Sequence, residues 1–88
     1  MMDGKPALGR GFRLQWEPAQ QGHVLLYPEG MVKLNSSAGE ILRRCDGRHT
    51  VAEIVADLES AFGASSLAAD VGAFLELALA KHWLEICA

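Results

Sequence analysis

The side chains of this sequence that could carry chemistry are few and scattered. They are His23, His49, His82, Cys45, Cys87 and Ser66. Zinc and other transition-metal sites place ligands at short, regular spacings, and the histidines and cysteines here share no such spacing. The carboxylates are spread over predicted helix surfaces rather than paired. We therefore expect no catalytic residue, no metal and no cofactor in this chain.

Ser66 is the one residue that suggests a covalent role. The stretch Gly63-Ala64-Ser65-Ser66-Leu67 resembles in part the Gly-x-Asp-Ser-Leu stretch with which acyl carrier proteins expose a phosphopantetheine attachment site. Here Ser65 replaces the aspartate, and the 22 residues after Ser66 are fewer than two further carrier helices need. Capping of a helix by Ser65 or Ser66 is the simpler interpretation.

The charge distribution limits the classes of partner. A chain of 88 residues with a net charge of -3 has room for one domain and is poorly suited to coating a polyanion. Between Thr50 and Ala80 there is no lysine or arginine. The acids in that stretch are Glu53, Asp57, Glu59, Asp70 and Glu76. A winged-helix DNA-binding module is an alternative interpretation, but contacts with phosphate would need cations on this surface.

Neither a membrane segment nor a targeting signal is evident. The sequence has no run of about 18 apolar residues, and its first residues lack the apolar region of a signal peptide. We therefore expect a cytoplasmic protein without membrane contact. Cys45 and Cys87 should remain reduced thiols in that compartment.

Three segments in the first half predict strands. Residues 12–17 alternate apolar and polar side chains with the two-residue period of a half-buried strand, and Pro18 ends the segment. Residues 23–27 and 31–34 are apolar runs on either side of Pro28-Glu29-Gly30, a pattern that predicts a hairpin. Together the segments predict a three-stranded antiparallel sheet.

The two ends of the chain are less regular. Residues 1–11 contain three glycines and a proline without periodicity, and they are predicted to form a flexible tail. Trp83-Leu84-Glu85-Ile86 is predicted to close the chain as a last helical turn or a short strand.

Polar caps and a glycine bound the first predicted helix. It begins at Asn35, Ser36 or Ser37, where Asn35 or a capping box of Ser37 with Glu40 could hold the first turn. It stops at Asp46-Gly47. Its apolar stripe is Ala38, Ile41, Leu42 and Cys45.

Two more helices follow. The second opens with a capping box of Thr50 and Glu53 and ends at Gly63, and the third begins near Ser65 or Ser66. The predicted core residues are Val51, Ile54, Val55, Leu58 and Phe62 in the second helix and Leu67, Val71, Phe74, Leu75 and Ala78 in the third.

The run from Tyr27 to Leu58 is specific enough to indicate a family. It closely resembles the PqqD family, small chaperone-like proteins of pyrroloquinoline quinone biosynthesis. The matching positions are Leu34-Asn35, Ala38, Ile41-Leu42, Cys45-Asp46-Gly47, Val51, Glu53 and Ile54. With the first predicted strand and the third helix, the resemblance covers about residues 12–86.

The resemblance implies a fold and a function. The fold would be α+β and winged helix-turn-helix-like, with an N-terminal three-stranded antiparallel sheet followed by a three-helix bundle. Residues 12–88 would form a non-catalytic recognition domain that binds the precursor peptide PqqA and presents it to the radical S-adenosylmethionine enzyme PqqE. The iron–sulfur clusters would belong to that enzyme, since this sequence has no cysteine motif for a cluster.

The resemblance also implies a peptide-binding site. In the family the leader segment of the peptide adds as a strand beside the third strand and packs against the third helix. The residues expected there are Gly30, Met31, Val32, Lys33, Leu34, Ala73, Leu77, Ala80 and Lys81. Alternation places Val32 and Leu34 on the core face of the strand. Leu77 is either the apolar anchor of the groove or a side chain packed under residues 83–86.

Contacts with other partners are left open by the sequence. Arg43, Arg44 and Arg48 could dock PqqE, and so could the acidic second helix. A solvated helix end favoured by the helix dipole is the simpler explanation of Arg43 and Arg44. An exposed strand edge is also a template for pairing, so a homodimer that exchanges its hairpin through Asn35-Ser36-Ser37 is a further hypothesis.

Overall fold

The fold combines two small antiparallel sheets with three helices. The computed structural model describes residues 4–87. Its elements in chain order are β1 (Lys5–Leu8), β2 (Arg13–Glu17), β3 (Gly22–Tyr27), β4 (Gly30–Lys33), α1 (Ser36–Leu42), α2 (Val51–Phe62), α3 (Ala68–Ala80) and β5 (Leu84–Cys87). One sheet contains β2, β3 and β4, and the other contains β1 and β5. The α+β class expected from the sequence is confirmed.

The larger sheet has the antiparallel order β2-β3-β4, as the alternating pattern predicts. β3 is the central strand, and its Val24 and Leu25 are buried. The connection to β4 is the two-residue turn Pro28-Glu29, one residue shorter than predicted, because Tyr27 already pairs with Gly30. β2 and β4 are consequently the two edges of this sheet.

The N-terminal segment contributes a strand that the composition did not indicate. β1 pairs with β5 along its whole length. On the opposite side of β1, Ala7 forms a bridge with Asp46, and the Gly47 N–H donates to the Pro6 carbonyl at 2.9 Å. Pro6 itself is fully buried. Both sides of β1 are therefore occupied.

The expectation of a flexible tail over residues 1–11 is wrong for the stretch that forms β1. Its partners come from the other end of the chain and from the connection between α1 and α2. Local composition cannot reveal such distant partners, so the glycines and the proline of this segment give no sign of the strand. Residues 1–3 lie outside the described part of the chain. Of the two alternatives for residues 83–86, the short strand is the one that forms, as β5 over Leu84–Cys87.

Side-chain caps hold the first turns of α1 and α2. Asn35 accepts a hydrogen bond from the Ala38 N–H at 2.8 Å, so Asn35 caps α1 rather than a capping box at Ser37. Thr50 and Glu53 form the predicted capping box at the start of α2, with hydrogen bonds of 3.2 Å and 2.8 Å. A capping box satisfies two main-chain donors that the helix itself leaves free.

α3 begins without a cap from its own serines. Gly63 ends α2 in the left-handed conformation, with a φ of 60°. The Leu67 N–H then donates to the Glu59 carboxylate at 3.0 Å. The capping expected from Ser65 or Ser66 is therefore wrong, because a carboxylate from the preceding helix occupies the main-chain donor at this end.

A single apolar core joins the helices to the sheets. Its buried residues are Ile41, Leu42, Cys45, Val51, Ile54, Val55, Leu58, Val71, Leu75, Ala78 and Leu84. Leu14 and Leu34 pack against it from the larger sheet. The predicted stripes are confirmed apart from three residues: Leu67 and Phe74 are only partly buried against the core, and Phe62, in the last turn of α2, is 58% exposed. Over residues 4–87, none of the helices is long and apolar enough to cross a membrane.

Candidate peptide-binding site

The outer edge of β4 presents main-chain groups for pairing. The Leu34 N–H donates to the His23 carbonyl at 3.1 Å, and the register continues without a bulge along β4. In an antiparallel ladder, the main-chain groups of successive residues point alternately toward and away from the neighbouring strand. Val32 therefore bonds to β3. The N–H and C=O groups of Met31 and Lys33 point outward.

The two faces of β4 differ as the alternation predicts. Met31 and Lys33 are exposed, whereas Val32 and Leu34 are half-buried and Leu34 packs against the core. Gly30 is exposed at the turn. The structure thus places all five predicted strand residues at one open edge, and two of them supply its outward hydrogen-bonding groups.

An aromatic depression of about 440 Å³ lies between the start of β4 and the end of α3. It is lined by Phe12, Tyr27, Glu29, Val32, Lys81 and Trp83. The Phe12 and Tyr27 rings lie 5.6 Å apart, and the Lys81 Nζ lies 5.8 Å from the centre of the Trp83 ring, a cation–π contact. This surface combines three aromatic rings with one cation and one anion.

An acidic depression of about 340 Å³ lies between the starts of α1 and α3 and the end of α2. It is lined by Ser36, Ser37, Glu40, Ile41, Leu58, Phe62, Leu67, Asp70 and Val71. Its floor is apolar, and two carboxylates and two hydroxyls stand around it. None of the described residues that line it is a lysine or an arginine.

One row of side chains on α3 joins the two depressions. Asp70 lines the acidic depression and Lys81 lines the aromatic one. They are separated by three helical turns, so they share a face of the helix at a distance of about 16 Å along its axis. Ala73 and Leu77 lie between them on this row, Ala80 lies beside it, and all three are exposed. We refer to Asp70, Ala73, Leu77 and Lys81 as the α3 row.

β4 and the α3 row come together at both of their ends. Val32 lines the aromatic depression, and Ser36, which follows β4 closely in the chain, lines the acidic depression. The start of β4 therefore lies near the end of the α3 row, and the residues just after β4 lie near its start; we call the surface between β4 and the α3 row the β4–α3 groove. Leu77, midway along the α3 row, is 46% exposed, so it is not buried under residues 83–86.

Sequence reasoning missed several residues of the groove. Phe12, Tyr27 and Trp83 line the aromatic depression, and Asp70 lines the acidic one. A signal was present for Tyr27 and Trp83, since neither belongs to a predicted core stripe. Large aromatic side chains without a core position often serve at interfaces. Asp70 had no local signal, because its place depends on how α3 packs against α1.

The three arginines expected to dock a partner differ in how available they are. The Arg44 side chain is only 11% exposed and donates to the carboxylates of Glu40 and Asp57, which links α1 to α2. Arg43 is largely exposed beside Glu40, at 3.3 Å, and Arg48 is exposed. The structure thus places Arg44 in an internal network and leaves Arg43 and Arg48 at the surface.

Two titratable groups are perturbed near this network. The hydrogen bond from Arg44 lowers the pKa of the Glu40 carboxyl against a smaller opposing effect of burial. Burial raises the pKa of the Cys45 thiol to about 12, and the thiol donates to the Ile41 carbonyl at 3.3 Å. Cys45 is therefore a neutral core residue at physiological pH. Across the part of the chain that the structure describes, no group of His, Cys, Asp and Glu side chains could hold a metal ion.

Comparison with known proteins identifies the family. The family described as Coenzyme PQQ synthesis protein D (PqqD) matches residues 22–84, which include β3, β4 and all three helices. The chain belongs to the PqqD family. A relative named PqqA binding protein, from Pseudomonas aeruginosa strain UCBPP-PA14, is 58% identical over 86 residues, which cover 97% of this chain and 94% of the relative. A relative of the same name from Stutzerimonas stutzeri strain A1501 is 54% identical over 82 residues, covering 92% and 89%.

Two solved PqqD structures share the fold. The PqqD truncation of Methylobacterium extorquens PqqCD, described as a stand-alone recognition element for ribosomally synthesized and post-translationally modified peptides, is 34% identical with a TM-score of 0.78. The comparison covers 97% of this chain and 95% of that one. PqqD from Xanthomonas campestris is 33% identical with a TM-score of 0.60 over 98% of both chains. The resemblance to the PqqD family that the sequence indicates is thereby confirmed.

Proposed function

We propose that this chain is a peptide chaperone of pyrroloquinoline quinone biosynthesis that binds the precursor peptide PqqA by strand addition and presents it to PqqE. The observation that carries this proposal is the open edge of β4 beside an exposed helix row. Relatives named PqqA binding proteins and the recognition-element description of a similar structure support a peptide as the ligand.

Strand addition would use the main chain of β4 for affinity and the α3 row for selection. The outward groups of Met31 and Lys33 offer two donors and two acceptors to a peptide strand. Side chains on one face of that strand would then meet Ala73, Leu77 and Lys81 across the groove. Gly30, Val32, Leu34 and Ala80 would border it without donating hydrogen bonds.

The chain would promote the reaction without catalysing it. A bound leader segment held near PqqE turns a bimolecular encounter into an intramolecular one, with an effective concentration on the order of millimolar. The resemblance to the PqqD family implies that PqqE cross-links a glutamate and a tyrosine within PqqA. That chemistry and the iron–sulfur clusters would belong to PqqE, and this chain would contribute no catalytic residue and no cofactor.

Titration calorimetry with synthetic PqqA, with and without PqqE, tests the function. We expect a dissociation constant on the order of micromolar or tighter, improved when PqqE is present. Absence of binding under both conditions, checked by amide chemical shifts of the labelled chain, would overturn the proposal.

Lys33→Pro tests the strand-addition geometry. Proline at position 33 removes an outward N–H and no hydrogen bond to β3, so the fold should persist while peptide affinity falls about tenfold. Lys33→Ala is the matched control, because it removes the same side chain and keeps the N–H. Equal affinities of the two variants would show that the peptide does not add to this edge.

The contact with PqqE would need a second surface. Arg43 and Arg48 project to solvent and offer cations to an acidic patch, while Arg44 would act by orienting this region through Glu40 and Asp57. The exposed acids of α2 are the competing surface. Arg43→Glu with Arg48→Glu should weaken PqqE binding and leave PqqA affinity unchanged; unchanged PqqE binding would move the proposed contact to α2.

The proposal extends to the winged-helix description of the fold, to the alternative functions and to the cellular compartment. The β3–β4 hairpin would be the wing and α2 with α3 the helix-turn-helix, in a recognition domain that includes β1. Among the described residues, one helix and one short strand follow Ser66, fewer than the two further helices of a carrier domain, which does not favour a phosphopantetheine site. The acidic stretch from Thr50 to Ala80 likewise does not favour DNA binding. The chain would work in the cytoplasm, where its thiols stay reduced.

A homodimer formed by exchange of the β3–β4 hairpin is the final part of the proposal. The hairpin joins α1 through a short connection at Leu34-Asn35, and an open β4 edge can serve as a pairing template. Light scattering across protein concentrations should then give a dimer mass. A monomer mass at every concentration would rule this exchange out.

A further inference from the structure

We propose that the acidic depression selects a lysine or arginine of the bound peptide, next to an apolar side chain, and thereby fixes the peptide's register in the β4–α3 groove. This inference rests on the proposed function, because its ligand is the PqqA segment that adds to β4.

The chemistry of the acidic depression carries the proposal. Phe62 is more than half exposed there, and Leu67 and Ile41 extend the apolar floor. Among residues 4–87, Asp70 has no ion-pair partner, and it lies in the first turn of α3, where the helix dipole favours an anion. A long cationic side chain fits this combination, because its methylene stem can cover apolar surface while its charge meets the carboxylate.

Cations already present nearby do not satisfy Asp70. The Arg44 guanidinium lies 5.9 Å from the centre of the Phe62 ring, but it is bound to Glu40 and Asp57. Arg43 also pairs with Glu40. Two arginines thus stand near four carboxylates, Glu40, Asp57, Glu59 and Asp70. Within residues 4–87, Glu59 accepts the Leu67 N–H, and Asp70 has neither an ion pair nor a side-chain hydrogen bond.

The other end of the groove is less selective by charge. Lys81 and Glu29 both line the aromatic depression, so that end presents a cation and an anion together. Neither forms an ion pair within the described residues. A charged peptide residue would find both signs there, whereas the acidic depression would repel an anion and attract a cation. The Asp70 end therefore sets the register.

Geometry fixes where the cation should stand in the peptide. Every strand pair of the larger sheet is antiparallel. A peptide strand added antiparallel to β4 would begin at the acidic depression and end at the aromatic one. The separation of about 16 Å along α3 corresponds to about five residues of extended chain. The cation should therefore lie about five residues before the side chain that enters the aromatic depression.

The test pairs variants of the chain with variants of synthetic PqqA. Asp70→Asn and Asp70→Lys are titrated with PqqA and with peptides in which each lysine or arginine in turn is replaced by glutamate. Glu76→Gln and Glu76→Lys are the matched controls, since Glu76 is exposed on α3 away from the α3 row. Thermal unfolding confirms that each variant is folded.

We expect Asp70→Asn to weaken PqqA binding about 2- to 5-fold at low salt, and Asp70→Lys to weaken it about tenfold. One peptide cation, exchanged for glutamate, should restore the affinity of Asp70→Lys, and raised salt should reduce the coupling. The Glu76 variants should change affinity by less than about twofold. Equal losses of PqqA affinity at Asp70 and Glu76 would overturn the inference, and so would the absence of any peptide position coupled to Asp70. In both cases, normal binding of PqqA to the unsubstituted chain would leave the proposed function intact.

A nitroxide label at the peptide N-terminus tests the direction of the strand. Amide signals of Leu67 to Val71 should broaden more than those of Lys81 to Trp83. The reverse pattern would overturn the antiparallel placement and with it the assigned position of the cation. Failure of unlabelled PqqA to bind the unsubstituted chain is a separate result, which would instead overturn the proposed function.

Discussion

β1 and β4 are both four-residue strands, but one is enclosed and the other is open. β1 pairs with β5 on one side and meets Asp46 and Gly47 on the other. β4 pairs with β3 on one side, and its outer side has no strand partner within residues 4–87. The same difference holds for charged groups. Arg44 has all its partners inside the chain, whereas Asp70 and Lys81 on the groove have no ion-pair partner in the described structure.

β1 helps to hold the fold together, whereas β4 leaves main-chain groups available to a partner. An open strand edge invites aggregation, and natural proteins normally cover it or keep it short and charged. Here the N-terminal strand β1 covers β5, while β4 keeps an open edge that is short and carries the exposed Lys33. An edge left open beside an exposed apolar helix row is the arrangement that a peptide-binding domain needs.

Removal of residues 1–8 should have the largest effect on stability. It deletes β1 and exposes the apolar surface that Pro6 and Leu8 cover, so the free energy of unfolding should fall by about 3 kcal/mol or more. Urea denaturation measures the loss, with Arg10→Ala as a control that keeps β1. An unchanged midpoint would mean that this segment is a flexible tail after all, and the contrast between β1 and β4 would disappear.

Proline substitutions should distinguish the inner and outer sides of β4. Val32→Pro removes a donor that pairs with β3 and leaves a carbonyl without its partner, which should cost about 2 kcal/mol of folding free energy. Lys33→Pro removes an outward donor and should cost less than about 1 kcal/mol. Urea midpoints compare the two. If Lys33→Pro were the more damaging substitution, the assigned direction of the main-chain groups would be wrong.

Leu77→Ala tests whether the α3 row is part of the peptide-binding surface. Since Leu77 is exposed, its truncation should change stability by less than about 0.5 kcal/mol. If Leu77 contacts the peptide as proposed, affinity for PqqA should fall about fivefold to tenfold. Ile86→Ala, an exposed apolar residue on β5, is the control and should leave affinity unchanged. Similar affinities for both variants would remove Leu77 from the binding site.

The smallest effect concerns the ion pairs within the enclosed part of the molecule. Arg44 lowers the pKa of Glu40 below its usual value of 4.5, so this contribution is present above that value and is lost as pH falls through the lowered pKa. Between pH 5 and pH 3, the free energy of unfolding of the Arg44→Met variant should therefore fall less than that of the unsubstituted chain, by about 0.5 kcal/mol. Urea denaturation at both pH values checks it; identical acid sensitivity would show that the pair contributes nothing.

Short-range patterns were sufficient for much of the secondary structure. The hairpin of β3 and β4, the capping box at Thr50 and Glu53, and the end of α2 at Gly63 depend on residues only a few positions apart. Alternation along β4 also assigned Val32 and Leu34 to the core side. In each case the interacting groups lie close together in the chain, so residue type and spacing carry the information.

Long-range packing decided the rest. β1 exists because its partner strand lies at the opposite end of the chain, and Arg44 is internal because α2 brings Asp57 to it. The β4–α3 groove arises only when α3 lies beside β4, which brings Asp70 near Ser36 and Lys81 near Val32. Residues so far apart meet through the burial of a shared core. That burial leaves no periodic signal in the sequence around any one of them.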